Sequence, residues 1–241
     1  MRGRVLIALA VVAALAGCQE SGFDESKETQ RPLKVQHALD PLTGTKVPGV
    51  GERPMTLSAD TLGDTLALGV RPVRAAMPGG LLPEYLRSEA RGVDVVPPLT
   101  KLDLAATEAA DPDVILGTKE GDGDLYEQLS KIAPTVMSEG DDWKLNLRLH
   151  GEALGRTNDA EKLLIDWDNR VARVRKALAG TGVGVVLAQP NAFGDSIIAD
   201  LGVEPGRERD AIVRIGPAPQ WSGGGVLAAR AALTDLEKRV L

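Results

Sequence analysis

Hydrophobic residues along the first half of this chain come in two alternating patterns. Short apolar runs at MTLSA (55–59), RPVRAAM (71–77), VDVVP (93–97), PDVILG (112–117) and PTVMS (134–138) read as extended segments. Between them, DTLGDTLALGV (60–70), LLPEYLRS (81–88), LDLAATEAA (102–110) and DLYEQLSKIA (124–133) space their apolar residues as helices do. Asp60 stands where an N-cap is wanted and Gly69 where a helix closes. Strands alternating with helices of about ten residues predict a parallel sheet covered on both faces. Residues 32–142 are therefore read as one α/β lobe.

The pattern then turns wholly helical. WKLNLRLHGEAL (143–154) is a helix stopped at Gly155, and Asn158 with Glu161 has the spacing of a capping box. The helix it opens, 158–178, carries Ala160, Leu163, Leu164, Trp167, Val171, Val174 and Leu178 in one continuous apolar stripe. At 1.5 Å per residue it is a rod about 32 Å long. A surface helix of a single domain would show the same stripe. A connecting rod is preferred because strand and helix patterns resume directly after Gly180: VGVVLAQ (183–189), AFGDSIIADLGV (192–203), AIVRIG (211–216) and a last helix within 222–240. The chain is thus divided into a first lobe, a helical linker (143–179) and a smaller second lobe (180–241).

The beginning of the chain is of another kind. Arg2 and Arg4 precede an unbroken apolar run from Val5 to Leu15, followed by Ala16 and Gly17. That charged–apolar–small order is a secretory signal, and its apolar run is far shorter than the roughly 20 residues a membrane span needs. Residues 1–17 are assigned to the signal. Cys18 is the sole cysteine. Cleavage after Ala14-Leu15-Ala16 would leave it an incidental free thiol. Alternatively, Leu15-Ala16-Gly17-Cys18 resembles the bacterial lipobox, in which the cysteine becomes the first residue and carries lipid; two or more acyl chains anchor a protein stably. QESGFDESKETQR (19–31) is too polar to offset its ordering entropy, and residues 18–31 are read as a lipidated flexible tether.

Charge narrows the partners. The formal net charge is −6, and loss of the signal removes two arginines and no acid. Such a chain is a poor match for nucleic acid or for a polybasic contact with membrane. Catalytic signatures are missing from the sequence: there is no G-x-S-x-G and no H-E-x-x-H, and GVGVVL (182–187) breaks the dinucleotide fingerprint at its last position. His37 and His150 have no second ligand at metal spacing, and GDGDLYE (121–127) lacks the ligand order of a calcium loop. Neither enzyme activity nor a protein-held metal or cofactor is expected.

Taken in order, LALGVRPV, LLPEYL, AATEAADPDVILG, DLYEQLSKIAPTV, WKLNLR, EALGRTNDAEKLLIDWDNRVARVRKAL, NAFGDSIIADLG and WSGGGVLAARAALTDLE resemble the substrate-binding lipoproteins of ABC importers for ferric siderophores, haem and cobalamin. The resemblance runs from about residue 53 to the C-terminus and implies an α/β fold of two lobes with parallel sheets, joined by one long rigid helix. It implies a monomer, anchored outside the cell membrane, that passes a metal chelate to a permease. A strand–helix–strand block of the second lobe is missing between Val203 and Trp221, so that lobe is expected to be truncated. The family's first-lobe docking acid aligns with Ala105; Asp103 and Glu108 stand nearby.

In that plan ligand lies between the lobes, against loops at the carboxyl ends of the strands. Those loops hold Met77, Pro78 and Gly79, then Thr118, Lys119 and Glu120, then Pro190, Asn191 and Phe193, and finally Gln220 and Trp221. The expected ligand contacts are Met77, Lys119, Asn191, Phe193 and Trp221. No helical stripe accounts for Trp221, which offers a rigid apolar face and one donor; it could equally plug a shortened lobe. Trp143 and Trp167 sit at helical spacing with leucines and are read as packing. Lys119 or Arg74 would meet an anionic ferric complex. Gly223–Gly225 either open a helix whose N–H groups hold an anion or form a flexible turn. The function this implies is capture of a ferric siderophore or similar chelate for an ABC importer. The alternative is a non-transporting relative that has lost part of its cleft.

Overall fold

The computed structural model describes residues 31–99, 104–179, 181, 183–187, 192–202, 211–215 and 224–241. Cys18, the signal and the tether up to residue 30 lie outside them, as do Asn191, Trp221 and all but 211–215 of the segment between Val203 and Trp221.

An antiparallel hairpin comes first, β1 (Leu33–His37) with β2 (Asp40–Val47). The main sheet follows: β3 (Pro54–Thr56), β4 (Arg74–Ala76), β5 (Val95–Val96), β6 (Val114–Thr118) and β7 (Thr135–Ser138). Its order is β5-β4-β3-β6-β7, every pair parallel. Between the strands lie α1 (Ala59–Ala67), α2 (Leu104–Ala109), α3 (Lys119–Asp122) and α4 (Tyr126–Leu129). Next come α5 (Trp143–Ala153) and α6 (Thr157–Leu178). A second parallel sheet, β8 (Val183–Leu187) with β9 (Ala211–Ile215), flanks α7 (Ala192–Leu201), and α8 (Gly225–Val240) closes the chain.

Alternation along β6 shows how the main sheet is covered. Val114 and Leu116 enter the largest core cluster with Val136, Trp143, Leu147 and the stripe of α6. Ile115, on the other face, packs with Met55, Met137 and Leu129. Both faces of the central strands are dry, which is why those strands read as unbroken apolar runs.

Every stripe residue of α6 except the partly buried Leu163 is buried: Ala160, Leu164, Trp167, Val171, Val174 and Leu178. At 1.5–3 kcal/mol for each large apolar side chain, this stripe is a major source of the helix's stability. It packs on α5, α7 and α8. The crossing with α5 is close, because a Cβ at Gly151 would stand 2.7 Å from the Ala160 Cβ. The same core takes in Val185, Phe193, Ile197 and Leu201 from β8 and α7. Although α8 comes last in sequence, in space it lies against α1, α5 and α6.

Several local expectations are corrected. Ser58, not Asp60, caps α1, through a reciprocal box with Thr61. Asn158 and Glu161 form no box: α6 begins at Thr157 without a side-chain cap, and Glu161 is drawn to Arg148 at 2.7 Å. The helix read over 81–88 is only a 3-10 turn at Glu84–Leu86, and 124–133 holds one helical turn, α4, preceded by the 3-10 turn Gly123–Leu125. The hairpin β1–β2 had no counterpart in the sequence reading.

Candidate functional site

Because all strands of the main sheet run the same way, their carboxyl ends share one edge, and the chain leaving each end builds that edge. At the end of β6, the Thr118 side chain caps α3 by accepting the Gly121 N–H at 3.1 Å, while the Thr118 N–H donates to Asp122 at 3.0 Å. Burial pushes the Asp122 carboxyl up from its ordinary value. Lys119, the first residue of α3, reaches across to the end of β7, where its Nζ donates to Glu139 Oε2 at 2.6 Å. That hydrogen bond pushes the Lys119 ammonium up. Beside it, Glu120 accepts the Gly140 N–H at 3.1 Å. Lys119 thus stands at the proposed ligand face, half-exposed and already paired.

The end of β4 is built differently. Met77 is fully buried among Ala59, Leu62, Ala75, Leu86 and Ala90. The turn after it, Pro78–Gly80, needs positive φ at Gly79 and Gly80 (64° and 66°), a region glycine enters without steric cost. It delivers Leu81 to the rim at 74% exposure, a residue the sequence reading passed over. Phe193 lies in the first turn of α7, only 8% exposed and part of the main core. Of the contacts expected from sequence, Lys119 alone among the described residues opens to solvent, and the structure does not bring Met77, Lys119 and Phe193 together around one cavity. Arg74 is committed elsewhere, to Asp94 at 2.8 Å and the Ala106 carbonyl at 2.8 Å.

The end of β3 leads into α1 and an acidic junction invisible in sequence. Asp64, on the second turn of α1, is fully buried; its Oδ2 meets His150 Nδ1 of α5 at 2.8 Å, and its Oδ1 accepts the Val226 N–H of α8 at 2.7 Å. One turn earlier stands Asp60, whose carboxyl is pushed up to about 7, first by burial and then by Asp64 and Asp141. Gly224 and Gly225 are the described part of the glycine run, and both have positive φ. A Cβ on Gly225 would fall 2.9 Å from Asp64 Oδ1. The amide at the start of the helix is thus taken by a carboxyl group of the chain itself, that of Asp64.

Where α5 meets α7 there is a cavity of ≈360 Å³ lined by Asp141, Trp143, Lys144, Ser196 and Asp200, among others. Asp200 organises it, accepting from Lys144 Nζ at 2.9 Å and from the buried Trp167 indole N–H at 2.8 Å. Trp143 packs edge-on against Trp167, ring centroids 5.0 Å apart. These two indoles are core, as their helical spacing predicts. His37 is also accounted for, with Nε2 on Thr45 at 2.9 Å and Nδ1 facing the Met137 N–H at 3.4 Å. Among the described residues no group of acids, histidines or cysteines is placed to hold a metal, and no helix is long and apolar enough to cross a membrane.

A parallel main sheet with an open carboxyl edge, a long helix and a second parallel sheet define an α/β protein of the two-lobed binding-protein type. The periplasmic binding protein family matches residues 56–206, and the chain belongs to that family. Over 180 residues it is 29% identical to a probable siderophore-binding lipoprotein of Bacillus subtilis, YfiY, a match covering 72% of this chain and 55% of the relative. Over 130 residues it is 32% identical to the achromobactin-binding periplasmic protein of Dickeya dadantii, covering 53% and 43%. The chain therefore spans about half the length of the curated relatives it matches. The crystal structure of the petrobactin-binding protein YclQ of Bacillus subtilis superposes with a TM-score of 0.66 over 87% of this chain and 99% of that one, at 18% identity, a likeness of fold.

Proposed function

We propose that this protein is an extracytoplasmic solute-binding protein that captures a ferric siderophore, or a chelate of that size and charge, and presents it to an ABC importer. The observation that carries the reading is family membership together with relatives named for siderophore binding. Iron arrives inside its chelator, so the protein needs no metal ligands and does no chemistry on its cargo. Lys119 is the cation offered to an anionic complex at the carboxyl edge, with Asn191 and Trp221 completing the contact from the second lobe. Met77 and Phe193, expected from sequence as further contacts, are buried in separate parts of the core. Ligand stabilises the closed arrangement because only there does it touch both lobes, and the stiff α6 limits how far they move.

Cys18 supplies the lipid anchor, and the protein works as a monomer. Delivery to a permease would use the exposed face of α2, where Ala105 replaces the acid expected there and Glu108 is exposed one turn on. The test is thermal melting of the purified protein against ferric hydroxamate, catecholate and carboxylate chelates. A true ligand at 100 times its Kd adds about 2.7 kcal/mol of stability, and one class should do so while its iron-free form does less. If no chelate moves the melting temperature, the reading fails. Intact mass of membrane-extracted protein tests the anchor, an unmodified Cys18 counting against it.

A further inference from the structure

We propose that α1, α5 and α8 meet in a proton-operated latch: Asp64 pins the start of α8 to the first lobe, and ionisation of Asp60 beside it loosens the pin. The inference does not depend on which ligand the cleft takes.

The pin is built from groups far apart in sequence. Both Asp64 oxygens are taken, Oδ2 by His150 Nδ1 and Oδ1 by the Val226 N–H, and the side chains of Asp64 and His150 are wholly buried. A buried donor left unpaired is costly, and this bond satisfies the Val226 N–H in the first turn of α8, one of the amides a helix start leaves without an internal partner. The fit leaves no room: at Gly225 a Cβ would stand 2.9 Å from Asp64 Oδ1 and 3.1 Å from the Asp60 carbonyl oxygen, and at Gly224 it would stand 3.2 Å from Asp60 Oδ2. The glycines let the helix start sit directly on the two carboxyl groups.

Both Asp64 oxygens already have hydrogen-bond partners, whereas burial pushes the Asp60 carboxyl up, so Asp60 is the acid that holds a proton here. Among the described residues, the titratable groups acting on Asp60 are Asp64 from α1, Asp141 from the turn after β7 and Tyr85 from the turn after β4, with His150 of α5 on the other side of Asp64. Burial, with Asp60 and Asp64 nearby, pushes the Tyr85 hydroxyl up, so it stays uncharged. Among the described residues no lysine or arginine pairs with Asp60, and His150 is bonded through Nδ1 to Asp64 rather than to Asp60. When Asp60 ionises, a negative charge is placed one helical turn from the Asp64 carboxyl group, at the same helix start.

The sign follows from linkage. Asp60 binds its proton more tightly folded than exposed, so the closed latch is favoured at low pH and weakens as pH rises toward about 7. If the open state returns Asp60 to an ordinary carboxyl, the opening constant should be about 30-fold larger at pH 8.5 than at pH 5.5. The experiment is amide hydrogen exchange of Val226 and its neighbours in the full chain with Cys18→Ser, corrected for intrinsic exchange, at those two pH values. The wild-type opening constant should rise by that factor. Asp60→Asn, which mimics the protonated acid, should remove the rise while leaving the amide protected. A rise that survives Asp60→Asn overturns the proposal, and so does a wild type with no rise.

A second variant guards against a folding defect. The Gly63 Cβ position lies 3.6 Å from the Leu227 Cβ, within the range a disulfide spans. Gly63→Cys with Leu227→Cys, oxidised, clamps α8 to α1 and should suppress the pH-dependent opening, which should return on reduction. Unchanged pH dependence in the oxidised clamp would place the proton's action elsewhere and overturn the latch.

Discussion

Asp200 is where the consequences of one substitution can be worked out most fully. Its carboxylate, on α7, accepts from the indole N–H of Trp167 on α6 and from Lys144 on α5, at 2.8 and 2.9 Å, so it ties α7 to both helices. Asp200→Ala strands the N–H of Trp167, a side chain only 1% exposed. Leaving a buried donor unpaired costs about 1–3 kcal/mol. The Lys144–Asp200 pair, its side chains 27% and 24% exposed, adds about 0.5–1 kcal/mol after screening. The alanine variant should therefore lose about 2–4 kcal/mol. Asp200→Asn keeps an oxygen for the indole and should lose only about 1 kcal/mol. Urea unfolding followed by tryptophan emission and by circular dichroism reads both. A cost below about 0.5 kcal/mol for alanine, or equal costs for the two variants, would refute the claim that the indole bond carries most of the tie.

Three further outcomes follow from the same geometry. Gly225→Ala puts a side chain at φ +74° and against Asp64 Oδ1; strain of about 1–2 kcal/mol plus a weakened charged hydrogen bond should cost about 3 kcal/mol in denaturant, and a change under about 0.5 kcal/mol would contradict the packing. His37 is pushed down by burial, so its folded form binds a proton less readily than its unfolded form. The stability it contributes is full above pH 6.5 and drains as pH falls below it, and His37→Gln should flatten that acid decline in a melting-temperature series from pH 7.5 to 5. Lys119→Met should weaken binding of an anionic ferric chelate about tenfold while leaving the melting temperature within error, because its pair with Glu139 is half-exposed.

Long periodic elements were legible because burial leaves a mark on every turn. The stripe from Ala160 to Leu178 and the runs around β3, β6 and β7 appear in the structure as they read in the sequence. The hairpin was not legible: β1 and β2 bury little beyond Val35, His37 and Val47, and Pro41 and Gly44 speak against a strand. Caps failed for a different reason. Glu161 has the right spacing to cap α6, but Arg148 on the neighbouring helix competes for it and wins. At the main sheet, the parallel-strand rule put the chain after β4 and β6 at the carboxyl edge, where it lies, and could not tell which side chain faces out, so Met77 lies inside and Leu81 at the rim. The role of Gly224 and Gly225 rests on Asp64 and His150, distant in sequence and brought together only by packing.

The most direct test of the account is a fluorescence titration of the purified protein with a ferric siderophore and, separately, with the same siderophore free of iron. The account predicts saturable quenching by the ferric complex, with one site per chain and markedly weaker binding of the iron-free form. Equal affinity for both forms, or no saturable quenching by hydroxamate, catecholate and carboxylate complexes alike, would contradict it.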